Sequence, residues 1–217
     1  SGIANTGGLV IDINNSTMPM CRFGVRFFKA DGGIQIRMDD FDRTLVHIEF
    51  IDNMGANIDN SLEKKVENCF LQEDFKRCYE NEIRDLINIC NFSELYLKEG
   101  INQLENVDKT LSIKPKIVMS SPSKNILDLA DRFLKSIGCQ VKIVEYDKRV
   151  TIDTLRNIVL DEEAFLGILY SSDGEKMSLT DGFNLVEDDR YYMLTILLGF
   201  KTGSMKEAVV PYSFPRA

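Results

Sequence analysis

The chain has 217 residues, 44% of them hydrophobic and 28% charged, with a formal net charge of −8. That is the composition of a soluble globular protein, long enough for one large domain or two small ones. The acidic balance, with no Lys/Arg-rich run, excludes a general nucleic-acid binder, and no apolar run approaches the ~20 residues that span a bilayer. The five cysteines (Cys21, Cys69, Cys78, Cys90, Cys139) form no C-x-x-C pair. An odd, scattered set suits reduced thiols and a cytoplasmic protein. His47 is the only histidine, which argues against a histidine metal site or a Ser-His-Asp triad. The opening residues carry no signal-peptide pattern. The chain starts without Met and almost at once with a strand, so it is expected to be a fragment of a longer protein.

Taken in order, Leu9 to Ile13 reads as a strand and Asn14 to Pro19 as a polar turn. Pro19 to Phe28 has Met20, Phe23, Phe27 and Phe28 at helical spacing, closed by Ala30-Asp31-Gly32-Gly33. Ile34 to Ile36 and Leu45 to Ile51 read as strands. A helix is expected from Asn60, with Glu63 completing a capping box and Leu62, Val66, Cys69 and Phe70 as its apolar stripe. Phe75, Cys78, Tyr79, Ile83, Leu86 and Ile87 read as a further helix, and Ser93 as the cap of another running to Leu104. From Lys116 strand and helix alternate. Ile117-Val118-Met119 is a strand. Ile126 to Ile137 is a helix closed by Gly138, Gln140 to Val144 a strand, and Thr151 to Leu160 a helix. Leu166 to Tyr170 is a strand, Met177 to Leu179 its partner, Tyr191 to Leu198 a helix and Ala208 to Val210 a last strand. The alternation predicts an α/β fold with mixed or parallel sheets and crossover helices, in two domains, 1–92 and 93–217.

One loop stands out. Ser171-Ser172-Asp173-Gly174-Glu175-Lys176 places two acids either side of a glycine. Asp173 and Glu175 can face one hard cation such as Mg²⁺. The same residues also make an ordinary Asp-Gly hairpin turn. Arg22, Arg26 and Arg37 read either as a phosphate pocket or as an amphipathic surface. Ser120-Ser121-Pro122-Ser123 opens a helix of the kind anions favour, without a nucleotide-binding glycine pattern.

Several segments together resemble the α-D-phosphohexomutase family, which includes phosphomannomutases and phosphoglucomutases. In the first half these are Val10-x-Asp12, Thr17-x-Pro19, Gly32-Gly33-Ile34-x-Ile36, Ile48-Glu49-Phe50 and Gly55. In the second they are Leu166-Gly167-Ile168, the acidic loop, Asp181-Gly182 and Val209-Val210-Pro211. More closely, Ile48-Glu49-Phe50 and Phe70 to Arg77 resemble the mutase-like region fused to a sugar nucleotidyltransferase in bacterial mannose-1-phosphate guanylyltransferases. The resemblance implies the C-terminal part of a first mutase domain followed by a second.

The resemblance also implies a chemistry. An active member transfers a phosphoryl group from a phosphoserine to a hexose phosphate, with Mg²⁺ held by a D-G-D-G-D-R loop. Counted without gaps, Asp39 occupies the phosphoserine position, Asp40 that of the following histidine, and His47 a glycine position. In the loop, Ser171 replaces the first acid, Asp173 keeps the second, Glu175 stands for the third, and Lys176 replaces the arginine that grips phosphate. Asp39 reads as drift, as a mimic of phosphoserine charge, or as the site of an acyl phosphate. The expectation is a catalytically degraded module acting in binding, regulation or assembly, with Mg²⁺ bound weakly or not at all. An active phosphohexomutase and a non-catalytic sugar-phosphate sensor are the alternatives. Expected partners are a hexose phosphate, the missing domains of the parent chain and a second copy, with no membrane and no nucleic acid.

Overall fold

The computed structural model describes residues 2–39, 42, 44–73, 78–104, 107–147, 150–186 and 188–210. They form two compact units, Ser1–Leu104 and Glu105–Ala217. The division falls after the helix at Phe92–Asn102, and Phe92 packs against Phe23 and Phe28 within the first unit.

In the first unit, strand β1 (Val10–Asp12) leads into helix α1 (Met18–Phe28). Thr17 caps α1 by accepting the Met20 N–H at 3.4 Å, and Pro19 lies in its first turn, where a missing N–H costs nothing. A hairpin follows, β2 (Gly32–Met38) and β3 (Val46–Asp52), antiparallel from Gly32↔Asp52 to Met38↔Val46. Met18, Cys21 and Val25 of α1 pack with Ile51 of β3. Gly33 is required by this contact, since a Cβ there would lie 2.6 Å from Val25 Cγ2. Helix α2 (Asn60–Leu71) is capped by Asp59, which accepts the Leu62 N–H at 2.8 Å, in place of the capping box expected at Asn60. None of its residues is buried.

Among the described residues, the helix expected over Phe75 to Ile87 is not formed from Cys78 onward. Residues 74–77 lie outside the described residues, Glu80–Glu82 make one 3-10 turn, and β4 (Leu86–Asn88) pairs in parallel with β1, Val10 opposite Leu86. Helix α3 (Phe92–Asn102) starts at Asn91, with Ser93 inside its first turn instead of at the cap. Phe92 packs against Phe23 and Phe28 of α1.

The second unit holds α4 (Val107–Ile113), β5 (Lys116–Ser120), α5 (Lys124–Ser136), β6 (Gln140–Ile143), α6 (Ile152–Asp161) and β7 (Leu166–Tyr170). They are followed by β8 (Met177–Thr180), β9 (Leu185–Val186) and α7 (Asp188–Thr202). The sheet order is β6-β5-β7-β8-β9. β5 is parallel to β6 and β7, and β8 and β9 are antiparallel additions. Alternate residues of β5 serve opposite faces. Ile117 and Met119 join Leu127 of α5, while Val118 joins Leu155 and Val159 of α6. The sheet is thus covered by a helix on each face, the mixed α/β architecture expected. Gly138 ends α5 at φ +90°. Val209 and Val210 lie in no strand, and Pro211 is outside the described residues. Among the described residues no helix is long and apolar enough to cross a membrane.

Candidate functional site

The hairpin has two unlike faces, and the register decides which residues share one. Gln35/Glu49 and Arg37/His47 are cross-strand pairs on the α1 side. Arg37 bonds Glu49 Oε1 at 3.1 Å. Asp39 follows β2 directly, and each of its oxygens is engaged. Oδ1 accepts the Asp42 N–H at 2.8 Å, and Oδ2 lies 2.7 Å from His47 Nε2. The Asp39 N–H donates to the Leu45 carbonyl at 3.0 Å. Asp42 in turn accepts from the Thr44 hydroxyl and N–H, which hold its carboxyl below the usual range. Asp39 therefore ties the connection between the strands to β3. Asp40 lies outside the described residues. The Asp39–His47 contact was not anticipated. The signal was available in the hairpin register, because a two-residue alternation puts 37, 39, 47 and 49 on one side.

The acidic loop belongs to the second unit. It follows β7, beside the Ser121–Ser123 segment that follows β5, at the carboxyl ends of neighbouring parallel strands. That is where open α/β sheets place ligand sites. The loop is closed by its own hydrogen bonds. Ser171 Oγ lies 2.6 Å from Asp173 Oδ1, and the Glu175 N–H donates to the same carboxylate oxygen at 2.9 Å. The Ser171 hydroxyl accepts the Lys176 N–H at 3.0 Å, and the Ser171 N–H donates to the Lys176 carbonyl at 3.0 Å. Gly174 supplies the left-handed residue of the turn at φ +78°. So Ser171, Asp173, Glu175 and Lys176 are brought together, in the form of a hairpin turn between β7 and β8. Among the described residues no group of three His, Cys, Asp or Glu side chains is arranged to hold a metal. Tyr170, which precedes the loop, has its hydroxyl pushed up to about 12, first by burial and then by Tyr191 on α7.

Arg22 and the Ser120–Ser123 segment have structural partners. Arg22 donates to the Gly55 carbonyl at 3.0 Å and to Asn57 Oδ1 at 2.6 Å, securing the turn after β3. The Ser120 hydroxyl donates to the Val144 carbonyl at 2.9 Å, and the Ser121 hydroxyl accepts the Ser123 N–H at 3.1 Å. Arg156 donates to the carbonyls of Gly182 and Phe183, and Asp181 caps the same turn through Asn184 and Phe183. Those bonds, led by the Asn184 side chain, hold the Asp181 carboxyl down to about 2.

Residues 1–77 match the family model for phosphoglucomutase/phosphomannomutase, alpha/beta/alpha domain I. Over 222 aligned residues, 97% of this chain and 49% of the relative, the chain is 27% identical to a phosphoglucosamine mutase of Marinomonas sp. (strain MWYL1). It is 29% identical over 145 residues to a phosphoglucomutase/phosphomannomutase of Thermococcus kodakarensis, covering 65% of this chain and 30% of that protein. The fold matches a crystal structure of a candidate phosphomannomutase from Thermus thermophilus with a TM-score of 0.66 at 14% identity. That match covers 93% of this chain and 48% of the other. The chain spans about half the length, or less, of the mutases it matches. In sequence the chain is similar to these mutases, and in fold it is similar to the Thermus thermophilus protein.

Proposed function

We propose that the chain is a phosphohexomutase-like module that no longer transfers a phosphoryl group. In this reading it serves binding, regulation or assembly in a cytoplasmic sugar-nucleotide biosynthesis protein. Its covalent neighbours there would be a nucleotidyltransferase and the remaining mutase domains. The observation that carries the reading is the carboxylate of Asp39. A phosphoryl donor has to present an oxygen to its substrate, and a carboxylate forms no stable ester of the serine kind. Asp39 instead spends Oδ1 on the Asp42 N–H and Oδ2 on His47.

The acidic loop supports the same reading. Mg²⁺ sheds water reluctantly and takes near-octahedral oxygen ligands, usually including carboxylates. Here a hydroxyl stands where a first carboxylate is needed, and it is hydrogen-bonded to Asp173. The donor set does not fit magnesium. A hexose phosphate remains the ligand class the related mutases point to, with Lys176 as the cation nearest the loop's acids in sequence.

The test does not depend on a complete mutase. The chain is incubated with glucose 1,6-bisphosphate or mannose 1,6-bisphosphate and Mg²⁺, then digested and weighed. No phosphorylated peptide is expected. A phosphate on the peptide containing Asp39, lost in Asp39→Ala, would overturn the proposal in favour of an active mutase with an aspartyl donor. Calorimetry with hexose phosphates then separates a sugar-phosphate sensor, which gives heat, from an assembly module, which gives none.

A further inference from the structure

The outer face of the β2–β3 hairpin is apolar and bare. Opposite the polar pairs, the register aligns Ile34/Phe50, Ile36/Ile48 and Met38/Val46. Ile36 is 64% exposed, and Met38, Val46 and Ile48 are each exposed by more than half. A contiguous patch of this kind marks an interaction surface. The matching family domain is described as alpha/beta/alpha, with a helical layer on each side of its sheet. In this chain α1 supplies the layer on the inner face.

The same unit holds a helix without a seat. α2 carries Leu62, Val66, Cys69 and Phe70 along one stripe, yet buries none of its residues. Phe70 is 72% exposed. An amphipathic helix of 12 residues gains little from propensity alone and takes its stability from packing. α2 does not fold back over the outer face of its own hairpin, because its lead-in is tied to the other side. Arg22 of α1 holds Gly55 and Asn57, and a Cβ on Gly55 would lie 2.9 Å from the Arg22 carbonyl. Asp52 Oδ1 accepts the N–H groups of Met54 and Ala56, and the Ile58 N–H donates to Phe50.

We infer that the occupant of the hairpin face is α2 of a second copy of this chain, exchanged reciprocally about a two-fold axis. Bare sheet and bare helix then satisfy each other twice, as an isologous interface requires. The five exposed hairpin side chains together with Leu62 and Phe70 expose between 40% and 72% of themselves. At ~180 Å² for a large side chain, they offer roughly 700 Å² per copy, close to the about 800 Å² per partner of a stable interface.

Sedimentation equilibrium of the purified 217-residue chain tests it. The expected species is a dimer of the 24.7 kDa protomer. Ile36→Lys on the sheet and Phe70→Lys on the helix are each expected to weaken dimerisation at least tenfold. Both side chains are exposed, so circular dichroism should show each variant folded. Mixing the two variants leaves one intact helix-on-sheet contact per pair and is expected to restore part of the dimer. A monomeric parent chain, which would assign the face to a different occupant, overturns the inference. So does a dimer that Ile36→Lys breaks and Phe70→Lys does not, since that describes two hairpins packed face to face.

Discussion

Replacing Ser171 by aspartate puts a second carboxylate where a hydroxyl now lies 2.6 Å from Asp173 Oδ1. The lost hydrogen bond has a charged acceptor in a half-buried loop, which sets its contribution at about 1.5 kcal/mol. The two like charges, left ~4 Å apart in a solvent-like dielectric, add about 1 kcal/mol of repulsion. Ser171→Asp should therefore destabilise the second unit by about 2.5 kcal/mol in EDTA, a fall in melting temperature on the order of 10 °C for a unit of this size. The same pair of acids, with Glu175 beside them, rebuilds a cation site. Magnesium at ten times its dissociation constant should return about 1.4 kcal/mol to the variant. Thermal melts of parent and variant, with EDTA and with a magnesium series, read both effects. The parent is expected to be insensitive to magnesium. A variant that melts like the parent in EDTA, or a parent stabilised by magnesium as much as the variant, refutes the reasoning.

Leu155 of α6 is fully buried in a cluster with Val118 of β5, and Leu155→Ala should cost about 3 kcal/mol through lost burial and a cavity, read by urea unfolding. Gly33→Ala forces a methyl against Val25 Cγ2, and a loss of about 1–3 kcal/mol is expected from the overpacked α1–hairpin contact. An unchanged denaturation midpoint would mean that α1 shifts freely. Glu162 sits between Lys116 and Lys142 at 2.6 and 2.5 Å, and their hydrogen bonds, Lys116 first, hold its carboxyl down to about 2. Because the folded value lies below the ordinary 4.5, this contribution is present above pH 4.5 and is lost as pH falls through about 2. Glu162→Gln should flatten the stability curve across that window, and parallel curves for parent and variant would assign the pair no role.

Much of the fold was legible because its signals are local. Thr17 and Pro19 mark the start of α1, Gly138 the end of α5, and the Ile117 to Met119 run a strand buried on both faces. Those features act within a few residues of themselves, so spacing is enough to find them. The order of mutase-like segments was legible too, and so was the acidic loop as a turn between strands, because Asp-Gly specifies a turn wherever it stands.

What the chain leaves open is decided by partners far away in sequence. Leu86-Ile87-Asn88 carries apolar residues that fit a helix or a strand equally well. It is a strand because Val10 to Asp12 offers a free edge 76 residues earlier. Ala208 to Val210 has the same character and finds no such edge among the described residues. The same distinction governs the site. The mutase resemblance singled out Asp39, and the loop's alternating acids singled out Asp173. Only the hairpin register brought His47 against Asp39, and only the closed turn set Ser171 on Asp173. A carboxylate's role depends on which donors reach it. Local propensity determines where turns and helices begin, whereas tertiary pairing determines whether an acid is offered to a ligand or consumed by the fold.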